Sequence, residues 1–248
     1  MSVCGCWAEC WLPGDARGQP LFSAEETFAW LTNPANWDGR YGLWNLLAEH
    51  LALTFVALAV AALIAVPVGL VTGHTGRGEF AVLGAGSLSR SIPTMGLLFA
   101  LVLFIGVQFR DLAVVLALVV IAVPPILAGV HSGVTTIPSS IRDAARAQGM
   151  TTWQVVRHVE VPLSLASSIG GVRIAYIQVF ATVVIAPLVG LGGLGFGIVQ
   201  GLALRHFPQV VASAAIIIVL TVLGDRILGS LQKRAGAKFE ETQLMEKK

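Results

Sequence analysis

The chain has 248 residues, of which 55% are hydrophobic and 12% charged, and its mean hydropathy is +0.78. Soluble domains carry about 25% charged residues, so this composition excludes an ordinary soluble globule and points to an integral membrane protein. Lys and Arg number 16 against 14 Asp and Glu, and the resulting charge of +2 is too small to attract nucleic acid.

Residues 1–45 are mixed. They hold Pro13, Pro20 and Pro34, scattered acids, and Trp7, Trp11, Trp30, Trp37 and Trp44. No apolar run there approaches the roughly 20 residues a helix needs to cross a bilayer. The indoles suit an extracytoplasmic, interfacial segment. Cys4, Cys6 and Cys10 crowd its start, but no fourth ligand stands nearby, so neither a metal site nor a cofactor is expected. The first fifteen residues have no Lys or Arg and no continuous apolar core, which predicts no cleavable signal.

Five apolar spans follow, at roughly 46–71, 81–107, 111–133, 163–189 and 209–231. The first contains Pro67. The second opens with Ser87, Arg90 and Pro93. The third contains Pro124 and Pro125, and His131, expected to be a satisfied polar group. Arg173 lies in the fourth, with Pro187 at its end, and Asp225 and Arg226 close the fifth. Prolines are tolerated in such helices because neighbouring groups satisfy the freed backbone. The expected fold is therefore all-α with about five transmembrane helices.

Basic residues set the orientation. Arg77, Arg142, Arg146, Arg157, Arg226, Lys233, Arg234, Lys238, Lys247 and Lys248 share one side, against Arg17, Arg40, Arg110 and Arg205 on the other. The positive-inside rule places the first set in the cytoplasm, with the N-terminus outside and the C-terminal tail, 236–248, inside.

Between the third and fourth spans lies a polar island, Arg142 to Leu163. Ser140 and Asp143 have capping-box spacing, as do Thr151 and Gln154. Gly149 stands where a helix ending in a left-handed residue takes glycine. The island thus reads as helix, glycine turn, helix, with the apolar span resuming at Pro162. Ala144, Ala145 and Ala147 keep the first helix slim enough for another surface to approach. Trp153, Val156 and Val159 give the second helix an apolar side.

An acidic residue and two alanines (Asp143, Ala144, Ala145), Gly149 four residues later and Pro162 thirteen beyond resemble the coupling loop of permease subunits of binding-protein-dependent ABC importers. The resemblance covers roughly 46–235. It implies the type I importer permease fold, with a cytoplasmic coupling helix docked in a groove of a separate ATPase. Asp143, Ala144, Ala145, Gly149, Trp153 and Pro162 are then the coupling residues, although the family usually has Glu where this chain has Asp143. The partners implied are a cytoplasmic ATPase dimer, an extracytoplasmic solute-binding protein, a second permease subunit and membrane lipid.

Within that family, four stretches resemble the branch importing glycine betaine, choline, carnitine or proline betaine. They are Ser91–Leu98, Gly149–Leu163, Gly170–Arg173 and Gly190–Leu204. The last departs at Phe196, where an Asp is usual. Methionine permeases share much of the pattern, so a methionine importer is the alternative. The bacterial cytoplasmic membrane is the implied location.

Gly190, Gly192 and Gly195 satisfy G-x-G-x-x-G, but no strand precedes them and no soluble βαβ unit surrounds them. They read as an outer loop or gate, and Gly193, Gly197 and Gly201 as a close helix contact. Arg90 and Arg173, with Gly192, Gly193 and Gly195, are candidate pathway or interface residues. For Arg173, snorkelling to the cytoplasmic headgroups is the leading expectation. No G-x-x-x-x-G-K-[ST] occurs, so ATP hydrolysis falls to a partner chain and no catalytic residue is expected here. An ion-driven carrier calls for mid-membrane carboxylates and an internal repeat, and the sequence offers only Asp225 near a span end. A scaffold without transport activity has no need of a docking island.

Overall fold

A computed structural model describes residues 23–78, 82, 84 and 93–246, with side chains described as far as Ala237. Cys4, Cys6, Cys10, Ser87 and Arg90 lie outside the described residues.

The first described element, α1 (Ala24–Thr32), opens on a complete capping box. Ser23 Oγ accepts from the Glu26 N–H at 3.1 Å, and Glu26 Oε2 accepts from the Ser23 N–H at 3.2 Å. Asn36 and Trp37 side chains each donate at 2.7 Å to the carbonyls of Trp30 and Leu31, which folds a short turn back under α1. This cap leads through Gly42 into α2 (Leu43–Thr75).

At 1.5 Å per residue the 33 residues of α2 reach about 50 Å, well beyond the roughly 30 Å of a hydrocarbon core. One face of α2 is a stripe of small buried residues, Thr54, Ala57, Ala61, Ala65, Gly69 and Gly73. Such stripes let helix backbones approach closely when no water is present to drive them together. Val130 and Val134 of the partner helix seat directly on Gly69 and Gly73. The helix runs through Pro67 unbroken and ends at Gly76, whose φ of +66° closes it in the left-handed region.

After α3 (Thr94–Ile105) and a 3-10 turn comes α4 (Arg110–Thr135). It is the central helix, packed on α2 to one side and on the helix Val161–Val183 to the other. The island follows as α5 (Ser139–Ala147) and α6 (Thr152–Val155), a π turn over Val156–Glu160, and then α7 (Val161–Val183). A 3-10 turn at Ala186–Val189 leads to α8 (Gly195–Ala203) and to α9 (Phe207–Glu246), on which α1, α7 and α8 pack.

Among the described residues, four helices are long and apolar enough to cross a membrane: Leu43–Thr75, Val107–Thr135, Thr152–Val183 and Phe207–Ala237. Of the expected second span, α3 supplies the last part, and the stretch from 81 to 92 lies outside the description save for Val82 and Gly84. Large apolar side chains cover the exterior: Leu63, Leu103 and Phe104 are 76%, 79% and 90% exposed. A surface of that kind suits contact with lipid.

One boundary differs from expectation. The fourth span does not begin at Pro162. A single helix runs from Thr152 to Val183, so the second half of the island is continuous with the span. Pro162 has no N–H for the carbonyl four residues back, and its ring crowds that carbonyl. The wider π turn just before it takes up the misfit.

Candidate functional site

The island is built at the junction of α4 and α7. The capping box at Ser140 and Asp143 does not form. Pro138, with fixed φ, starts α5 at Ser139 without a side-chain cap, which leaves Asp143 as the fifth helical residue. Asp143 is exposed, and its carboxylate lies 3.7 Å from Arg146 in a surface pair of little energetic weight. Ala145 is the buried side of the helix, whereas Ala144, Ala147 and Gly149 are exposed.

At the turn, Gly149 has a φ of +86°, and its N–H donates to the Arg146 carbonyl at 2.9 Å. The second capping box is present: the Thr151 N–H donates to Gln154 Oε1 at 2.8 Å, and the Gln154 N–H reaches Thr151 Oγ at 3.4 Å. The apolar side of α6 is not where the sequence put it. Val155 is fully buried, and Trp153 is 69% exposed. Trp153 instead forms part of an apolar hollow with Pro67, Leu70, Val71 and Val156 at the end of α2.

Beneath the island lies a charged cluster. Glu160 is fully buried. Both its oxygens lie 2.9 Å from His74 Nδ1. Arg142 Nε is also 2.9 Å from Glu160 Oε1, a charge contact off the hydrogen-bond direction, and Arg142 Nη2 donates to the Val134 carbonyl. One carboxylate thus ties the end of α2 and the first turn of α5 to the π turn that opens α7, and Arg142 links the end of α4 to the same cluster. Taking a carboxylate out of water is costly, and paired cations offset that cost. Sequence reasoning missed this cluster, because His74 and Glu160 are 86 residues apart and no local pattern links them.

Toward the bundle interior, Arg173 of α7 forms a two-point pair with Asp225 of α9: Nε with Oδ1, and Nη2 with Oδ2 at 2.8 Å. The expected snorkelling of Arg173 is therefore replaced by a partner within the fold. Two lone opposite charges in otherwise apolar spans were the signal that could have paired them. Nearby, the Tyr176 hydroxyl donates to the Leu220 carbonyl at 2.9 Å, and the ring lies against Gly224. The ion pair borders a cleft of about 620 Å³ between α4, α7 and α9, whose walls include Ser132, Ser167 and Gln232. His131, on the far side of α4, is satisfied by Thr72 Oγ at 3.1 Å.

At the end of the bundle opposite the island, Gly190 and Gly193 have φ of +79° and +99°. Gly192 packs on the Glu49 carboxylate, Gly193 near His50, and Gly195 against the Val184 carbonyl. These glycines form a close-packed turn, not an open loop. Gly197 and Gly201 make the helix contact expected of them, against Ser213 and Val210 of α9, whereas Gly193 faces α2. His50 is fully buried, with Nε2 3.1 Å from the Phe180 carbonyl. No group of three or more His, Cys, Asp and Glu residues placed to hold a metal occurs among the described residues.

Asp143, Ala144 and Gly149 are each exposed, and Arg173 borders the Asp225 cleft while Gly192, Gly193 and Gly195 pack against Glu49, His50 and Val184.

Comparison with known proteins gives a consistent result. The family described as "Binding-protein-dependent transport system inner membrane component" matches residues 65–236. The osmoprotectant import permease protein OsmW of Salmonella typhimurium is 33% identical over 79% of this chain and 92% of its own length. The carnitine transport permease protein OpuCB of Listeria monocytogenes is 29% identical over 78% of this chain and 89% of its own. Among solved structures, an inward-facing MetNI methionine ABC transporter chain superposes with TM-score 0.66 at 26% identity, covering 76% of this chain and 93% of that one. On these grounds the chain belongs to the inner-membrane component family of binding-protein-dependent transport systems.

Proposed function

We propose that this chain is the permease subunit of an ATP-driven importer for quaternary amine osmoprotectants of the glycine betaine, choline, carnitine and proline betaine class. The relatives named for osmoprotectant and carnitine transport over most of their length carry the substrate class. The island carries the mechanism: a short helix and turn expose Asp143, Ala144 and Gly149, while Glu160 at the buried base meets His74 at the end of α2 and Arg142 of α5.

In this reading the island faces the cytoplasm and each of two permease subunits offers it to one subunit of an ATPase dimer. A solute-binding protein delivers substrate to the opposite end. Closure of the ATPases pushes on α5 and α6. Because α6 continues into α7 through the π turn, the push reaches the Arg173–Asp225 cleft, which forms part of the substrate path. Both ends bias one two-state element.

The test is co-purification of the ATPase with wild type and with Gly149→Arg. Loss of the ATPase from the variant, with the permease still folded in the membrane, is the expected result; full retention removes Gly149 from the docking surface. Methionine is the second reading, carried by the likeness to MetNI. Uptake of labelled methionine in place of glycine betaine selects it.

A further inference from the structure

The cavity at the end of the bundle opposite the island has a chemistry of its own. It measures about 480 Å³, and its walls include Arg40, Tyr41, Glu49, Arg110, Asp111 and Phe196. Small-molecule sites occupy about 300–1,000 Å³. Two guanidiniums and two carboxylates line this one, so its formal charge is zero. Among the described residues none of the four forms an ion pair. Charged groups that share a cavity without pairing leave both signs open to a ligand.

Glycines set the geometry. Gly192 packs directly on the Glu49 carboxylate, and Arg110 Nη1 lies 3.4 Å from where a Cβ on Gly190 would stand. Any side chain at either glycine would come between these charges and the turn. Tyr41 and Phe196 stack with centroids 4.6 Å apart and planes 9° from parallel, which gives the cavity an aromatic wall. Arg40 lies 5.9 Å from the Tyr41 centroid, so a ligand cation reaches that ring by displacing Arg40.

We propose that this cavity is a transit site for zwitterionic quaternary amines. The methylated ammonium lies between the aromatic wall and Glu49, and the carboxylate meets Arg110. Glycine betaine and carnitine carry both charges. Choline has no carboxylate and leaves Arg110 unsatisfied, so the site discriminates against it. The inference rests on the substrate class proposed above and adds a preference within it.

The experiment uses the assembled permease–ATPase complex in nanodiscs, without its solute-binding protein, and measures equilibrium binding of labelled glycine betaine and labelled choline. Wild type should bind glycine betaine saturably and choline more weakly. Arg110→Gln should weaken glycine betaine binding about tenfold or more, the loss expected for one charged hydrogen bond, and Glu49→Gln should weaken it too by removing the charge that attracts the ammonium, which has no N–H to donate. Arg110→Gln should also abolish the preference over choline, and Arg110→Lys should restore part of it. A complex that transports glycine betaine with its binding protein yet shows no saturable binding alone overturns the site. So does choline bound as tightly as glycine betaine, or a preference that survives Arg110→Gln. A complex that transports no quaternary amine even with its binding protein overturns the substrate class itself, and the site with it.

Discussion

Gly149 holds its φ of +86° with nothing within 4 Å of where a Cβ would stand. The glycine therefore serves the backbone, and space around it is free for a partner. Gly149→Ala should cost about 1–2 kcal/mol of local strain, the price of a left-handed β-carbon, and leave the ATPase bound with reduced affinity. Pull-down of the ATPase against Ala and Arg at this position separates backbone strain from blocked docking: equal losses for both would assign the whole effect to strain. Glu160 answers to a different term. It is fully buried against Arg142 and His74. Its replacement by Ala strands Arg142 and His74 and should cost about 3–5 kcal/mol, as breaking a buried pair does. Thermal inactivation of the purified complex reads this. Glu160→Gln, which keeps an acceptor for the His74 N–H, should cost clearly less. Equal losses for Ala and Gln would mean that the cavity and not the charge matters.

At the scale of elements, the packing of α4 on its neighbours depends on absent side chains. A Cβ on Gly129 would stand 2.7 Å from the Gly171 Cα, so α4 and α7 touch backbone to backbone there. Gly171→Val should wedge the pair apart and remove assembled complex from the membrane fraction; normal yield would show that the bundle can spread at little cost. The Arg173–Asp225 pair joins α7 to α9. Arg173→Leu alone should destabilise more than the Arg173→Leu, Asp225→Leu double variant, since the single change leaves Asp225 with only the neighbouring Arg226 to offset its charge. A double variant at least as unstable as the single would contradict that account.

Much of this element structure was legible in the sequence. Hydropathy found the long helices, the second capping box is where Thr151 and Gln154 put it, and Gly149 adopts the left-handed turn its place suggested. Three features were not legible. The helix from Thr152 through Pro162 is continuous because a π turn absorbs the proline, and no periodicity reports such a turn. The inward face of α6 falls on Val155, because the axis of α7 and not local amphipathicity sets it. Glu160 is buried against partners from helices distant in sequence, which no local pattern reports.

The whole molecule is a bundle with an apolar exterior and polar devices at both ends. The island, the Glu160 cluster beneath it and the long α7 form one mechanical line. The glycine turn at 190–195 and the charged cavity close the other end. The proposed orientation is directly checkable. With Cys4, Cys6 and Cys10 changed to Ser, a cysteine placed at Ser140 should react with a membrane-impermeant maleimide only in inverted vesicles, and one placed at Gln108 only in intact spheroplasts. The reverse pattern would turn the molecule over and remove the island from the ATPase. The central claim, that this chain moves a quaternary amine with the island as its point of coupling, is tested most directly by uptake. Labelled glycine betaine uptake at high osmolarity should be restored to deficient cells by wild type and not by Gly149→Arg at equal membrane abundance. Equal uptake with both forms, or none with either, would contradict it.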